Sequence, residues 1–201
     1  MAAPRTCTLA VLALAALAAC AGTKEPTEQP SPGPVSRYPY TEADVRFMTD
    51  MIGHHAQALA MAALAPRNGA SPEILRLAER IAAGQHDEIA TMERWLRARG
   101  KPVPEAHHAM HGQPMPGMLT EAQMRELEEA RGPEFDRLFL SDMIRHHRGA
   151  VAMVKRLYNT PGAAQDDTVF KFADDVGVDQ TTEIARMERM LASLPAGEPA
   201  S

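Results

Sequence analysis

The chain has 201 residues, a net charge of −5 and a 45% hydrophobic content in which aromatics are scarce, at 4% of all residues. That length suits one domain of ordinary size with extra segments. Alanine, leucine and methionine supply the apolar mass and favour helices over strands, and the acidic balance leaves no basic footprint for nucleic acid.

The N-terminus reads as an export signal. Arg5 supplies positive charge, and Thr8 to Ala19 is an unbroken run of apolar and small residues, too short for a comfortable membrane span. The run ends in Leu17-Ala18-Ala19-Cys20, which resembles a bacterial lipoprotein box. That motif implies a lipoprotein signal peptide over 1–19, cleavage before Cys20 and lipid on its sulfur. An ordinary signal peptide with a chance cysteine is the alternative. Cys7 leaves with the signal, so the mature domain has no free thiol for a disulfide or a cysteine metal site. The expected location is outside the cytoplasm, anchored to the outer face of a bacterial membrane or in the periplasm. Five prolines between Ala21 and Pro39 make residues 20–39 a flexible tether.

Folding is expected from residue 40 to 194, followed by a tail over 195–201. Thr41 and Asp44 form a plausible capping pair for a helix running to about Ala65, stopped by Pro66 and the Asn68-Gly69 turn. Ser71 caps a second helix, with Pro72 in its first turn, running to about Arg99 before Gly100 and Pro102. The segment from Gly100 to Leu119 holds four prolines and three glycines and reads as irregular. Thr120 and Gln123 cap a short helix to about Arg131, broken by Gly132-Pro133. A fourth helix spans about Glu134 to Tyr158, and a fifth spans about Asp167 to Ser193.

The plan contains an internal repeat. FMTDMIGHHAQALAMA (Phe47 to Ala62) and FLSDMIRHHRGAVAMV (Phe139 to Val154) agree at nine of sixteen positions, where average usage gives about one by chance. Ala78 to Leu96 and Ala173 to Leu191 agree at nine of nineteen, and both carry Gln-x-x-Glu-Ile-Ala-x-Met-Glu-Arg. Repeat one is 41–99, the linker 100–132 and repeat two 133–194. A lone αα-hairpin cannot bury its apolar face, so the expected fold is all-α: two hairpins packed as a four-helix bundle, with a short extra helix in the linker.

With Met51 at the centre of the first helix's inner face, Ala58 and Ala62 fall within roughly 20° of it and His55 and Phe47 about 40° to either side. Met48 lies beyond His55 on one shoulder, and His54, Met61 and Asp50 follow on the other. Repeat two presents Met143, His147, His146, Met153 and Asp142 in the same way, with Leu140 in the place of Met48. On the partner helix, Ile74, Ala78, Ile81, Gln85, Glu88, Met92 and Trp95 form a core-facing stripe that Gln85 and Glu88 interrupt with polar groups. Phe172, Val176, Gln180, Glu183 and Met187 repeat it. A buried carboxylate needs a partner, and the facing histidines supply one. Glu88 and Glu183 then either orient the imidazoles of a metal site or bind the ion directly. Asp50 and Asp142 read as solvated shoulders or local partners of His54 and His146. A single methionine or histidine on an inner face is ordinarily core. The duplicated set of His pair, methionines and facing Gln/Glu/Met points instead to a metal.

Thioether is a soft, neutral ligand that favours Cu(I) and Ag(I), whereas imidazole also accepts Cu(II) and Zn(II). Met and His without cysteine therefore favour copper, with Cu(I) first and Ag(I) or Cu(II) as further candidates. The linker adds His107, His108, Met110, His111, Met115 and Met118 within twelve residues. They form either a strand that wraps or presents a soft ion, or a polar surface loop.

The repeated D-M-I-x-H-H helix, the Gln-x-x-Glu-Ile partner helix and the stretch MPGMLTEAQMRELEEARGPEFDRLFL resemble the bacterial family catalogued as domain of unknown function 305, which includes CopM-like exported copper-binding proteins. The resemblance covers about Tyr40 to Leu194. It implies a ferritin-like four-helix bundle and copper or silver binding through Met48, Met51, His54, His55 and Met61, and through Met143, His146, His147 and Met153. Leu140 would make the two half-sites unequal. The leading expectation is a lipid-anchored, non-enzymatic protein that sequesters or hands over copper at the cell envelope, with a delivery partner or a second copy of the chain as candidate partners. A ferritin-like dimetal oxidase is the enzymatic alternative. Its Glu-x-x-His spacing occurs here only at Glu105/His108, in the linker. The third reading is a structural or interaction module whose His/Glu pairs satisfy each other.

Overall fold

The computed structural model describes residues 39–104 and 115–195. The signal segment, Cys20, the tether to residue 38, the linker's His107, His108, Met110 and His111, and residues 196–201 lie outside the described residues. Those described hold five helices and no strand: α1 Glu42–Ala62, α2 Pro72–Ala98, α3 Glu121–Glu129, α4 Gly132–Tyr158 and α5 Asp167–Ser193.

Each helix except α4 starts on a side-chain cap. Thr41 and Asp44 close a reciprocal capping box on α1, and Thr120 and Gln123 close one on α3. Ser71 caps α2 just before Pro72. Asp166 caps α5 by accepting from the backbone of Thr168 and Val169, satisfying amides that have no partner within the helix. The ends differ slightly from expectation. α1 stops at Ala62 rather than Ala65 because Leu64 and Ala65 donate to carbonyls three residues back, a tighter winding than the α-helix. Gly69, at φ +67°, then turns the chain. α3 ends at Glu129 and α4 begins at Gly132, because Asn68 holds the junction. Its buried amide donates to the carbonyls of Leu127, Glu128 and Ala130, and its own carbonyl accepts from Gly132.

α1 packs on α2, α4 packs on α5, and the two hairpins meet through α1 and α4. Met51 of α1 and Met153 of α4 share one core cluster, and Met61 and Met143 share the other. α1 and α4 therefore run antiparallel, and each cluster mixes methionines from both repeats. The first cluster also holds Met48 and Met92, the second Met187 and Leu140.

Two equivalent aspartates latch the repeats. Asp44, buried near the start of α1, accepts the Ala164 N–H at 2.7 Å in the loop of the second hairpin. Asp136, in the corresponding place on α4, accepts the Ser71 N–H at 3.2 Å in the loop of the first. Each repeat thus ties down the other's turn. No helix among the described residues is long and apolar enough to cross a membrane.

Candidate metal centre

The inner faces of α1 and α4 meet at four histidines. His54, His55, His146 and His147 are all fully buried, although adjacent residues on a helix diverge by about 100°. Burial of both members follows from the covering: α2 or α5 covers one shoulder, and the opposite repeat covers the other. His54 and His146 come from different repeats and lie against each other, with ring centroids 3.9 Å apart and planes tilted by 38°. His55 is 6.5 Å from His54, and His147 is 6.2 Å from His146. The His54/His146 pair therefore joins the two repeats, and His55 and His147 flank it.

The outer rings meet carboxylates. His147 Nε2 donates to Glu183 Oε2 at 2.7 Å. His55 Nε2 lies 2.7 Å from Glu88 Oε2 but off the line of a hydrogen bond. Glu88 and Glu183 keep side-chain exposures of 18% and 20%, so they connect the buried rings to the surface. Glu88 also lines a groove of about 470 Å³ together with Asp87, Asp175 and Asp179.

The inner rings are poorly satisfied. His54 Nε2 donates to the Pro116 carbonyl at 3.0 Å, but its Nδ1 has no hydrogen-bond partner. Neither do the Nδ1 atoms of His55 and His147, or either nitrogen of His146. Gln85 Oε1 and Gln180 Oε1, at equivalent places in the repeats, are likewise buried without a partner. Each such group costs about 1–3 kcal/mol. Burial, reinforced by His55, holds the His54 imidazole down to about 3 against the opposing Pro116 carbonyl. Burial, then His54, pushes His146 well below the usual imidazole range. Both inner rings are neutral at physiological pH and bear lone pairs, as metal-ligating imidazole requires.

Met48, Met51, Met61, Met92, Met143, Met153 and Met187 are all buried, in the two clusters given above. Met51 and Met143 lie one turn before the histidines on their own helices, within neighbour distance. Asp50 is exposed, and partial desolvation raises its carboxyl against Arg46 and Arg156. Asp142 is half-buried, and desolvation likewise raises its carboxyl although Arg145 lies 3.0 Å away. Met115 and Met118 of the linker are half-buried, and Met115 packs against the cluster that holds Met51. Among the described residues, no three His, Cys, Asp or Glu side chains are grouped ready to hold an ion. Sequence reasoning missed Asp136, Asp166, the Pro116 contact and, beyond its turn, the buried role of Asn68. Among these long-range roles Asp136 alone carried a signal, since it occupies Asp44's place in the repeat.

No curated protein matches the chain. Solved structures do. A DUF305 protein of Streptomyces coelicolor, assigned to the secreted proteins, shares 31% identity at a TM-score of 0.67, covering 79% of this chain and 98% of that one. A DUF305 fragment from Deinococcus radiodurans shares 34% identity at a TM-score of 0.67, covering 78% and 99%. CopM in its Cu(II)-bound form shares 31% identity at a TM-score of 0.61, covering 74% and 95%, and CopM is also solved with Cu(I) and with Ag bound. Domain of unknown function (DUF305) matches residues 44–191, nearly all of the helical core with both histidine pairs, and the chain belongs to that family.

Proposed function

We infer that this chain binds copper, Cu(I) foremost, and Ag(I) or Cu(II) as alternatives, to sequester or hand over the ion at the cell envelope. One observation carries the reading: four fully buried imidazoles whose free nitrogens have no protein partner, on helices that also bear the core methionines. A purely structural polar layer would satisfy its own atoms, because unpaired buried groups are costly. An ion supplies the missing partner. Thioether beside imidazole suits a soft monovalent cation. The likeness to CopM, solved with Cu(I), Cu(II) and Ag, supports the same chemistry.

In this reading His54, His55, His146 and His147 are ligands, and Met48, Met51, Met61, Met143 and Met153 supply sulfur. Glu88 and Glu183 orient the outer imidazoles, as carboxylates do beside metal-bound histidine. Gln85, Gln180, Met92 and Met187 line the partner faces. Asp50 and Asp142 serve as shoulder residues or local partners of His54 and His146. Export rests on the signal-like N-terminus and on likeness to a secreted relative. Attachment by lipid at Cys20 and the tether over 20–39 rest on the sequence alone.

Competition titration of the purified chain with Cu(I) in reductant tests the assignment. Binding tighter than about 1 µM, lost when all four histidines are replaced, is expected. Weaker binding, or binding indifferent to those replacements, removes it.

A further inference from the structure

The linker residues Pro116 to Leu119 cross the α1/α4 pair as a strap. Gln57 holds one end: its Oε1 accepts the Leu119 N–H at 2.7 Å and its Nε2 donates to the Leu119 carbonyl at 3.0 Å. At the other end the backbones of strap and helix touch. A Cβ at Gly149 would stand 1.9 Å from the Pro116 oxygen, and one at Gly117 would stand 2.5 Å from the Arg145 oxygen. Gly117 also has φ +78°, a conformation that glycine adopts at little cost. Gly149 is the repeat-two counterpart of Gln57. One repeat thus grips the strap with a side chain, and the other admits it by having none.

This seat places the Pro116 carbonyl 3.0 Å from His54 Nε2. A carbonyl only accepts, so the contact requires the proton on Nε2. We propose that the strap is a positioning element for the soft-cation site: it locks His54 in the Nε2–H tautomer, leaving Nδ1 as that ring's one donor atom. The inference rests on the metal-binding reading for its purpose but not for its first test. It makes the facing rings unequal partners. A backbone carbonyl is a recognised way to fix the orientation of a ligating histidine.

Nitrogen-15 NMR of the metal-free, histidine-labelled chain reads the tautomer directly, with the His54 signal identified by its loss in His54→Gln. A proton on Nε2 is expected, and a proton on Nδ1 overturns the proposal. Gly149→Ala then drives the strap off its seat. The single-tautomer signature should blur and Ag(I) affinity should fall about tenfold, with helix content unchanged. Should that variant fail to fold, Gln57→Leu releases the strap without a clash and should move both readouts in the same direction. A retained tautomer and affinity in whichever variant folds overturns the proposal. A wild-type chain that binds no Ag(I) sinks the functional reading instead, and the tautomer is still decided without metal.

Discussion

The two repeats offer a comparison that the molecule itself controls. Both carry the histidine pair, the facing glutamate and glutamine, and the aspartate latch. Of the sixteen aligned positions on the paired inner helices seven differ, among them Met48 against Leu140, Gly53 against Arg145, and Gln57 against Gly149. The Gln57/Gly149 difference follows the linker, which needs a side-chain grip on one helix and bare backbone on the other. Both repeats therefore keep the buried histidine nitrogens, and the Gln57/Gly149 difference falls where a single asymmetric segment crosses them.

The latches should separate the repeats most. Asp44 accepts from Thr41 and from Ala164, so Asp44→Ala loses a cap and strands a buried N–H, about 3 kcal/mol together. Among the described residues Asp136 accepts only the Ser71 N–H, with both oxygens, at 3.2 and 3.3 Å, and Asp136→Ala should cost about 1.5 kcal/mol. Urea unfolding of the two variants measures the ratio. Equal losses would mean that the latches act only through the packing of their neighbours.

Acid should come next, and it acts on both repeats at once. His54 is held at about 3 in the folded chain against an ordinary 6.5. Below pH 6.5 the unfolded chain takes up a proton that the folded chain refuses. Stability is therefore intact above 6.5 and falls as the pH drops towards 3. From pH 7 to pH 5 His54 alone removes about 2 kcal/mol, and His146, depressed for the same first reason of burial, adds loss of the same sign. Urea midpoints of the metal-free chain at the two pH values check this. His54→Leu should flatten the dependence, and an unchanged midpoint in the wild type would show that water already reaches the ring.

Much of the fold was legible because its signals are local or repeated. The caps at Thr41, Ser71 and Thr120, the stops at Gly69 and Gly100, and the repeated hairpin all follow from residues close in sequence. Burial at the histidines followed from helical periodicity. The strap was not legible, because Pro116-Gly117 reads locally only as a break. Its path depends on Gly149, thirty-two residues further on, and on the exact depth at which two backbones meet. The tertiary role of Asp166 had no local signal either. Its partners, Trp95 Nε1 at 3.1 Å and the Arg99 guanidinium at 2.6 Å, lie about seventy residues earlier.

The smallest effect on stability should be the most informative about the metal. Met48 and Leu140 are equivalent and both fully buried, so exchanging one for the other conserves volume and should cost less than about 1.5 kcal/mol. A thioether and an isobutyl group pack alike but differ completely towards a soft cation. Leu140→Met should therefore tighten Ag(I) binding, Met48→Leu should weaken it, and the double exchange should restore the wild-type affinity, as calorimetric titration would report. A pair of exchanges that move neither affinity nor stability would confine Met48 to the core and leave the inequality of the half-sites to the strap alone.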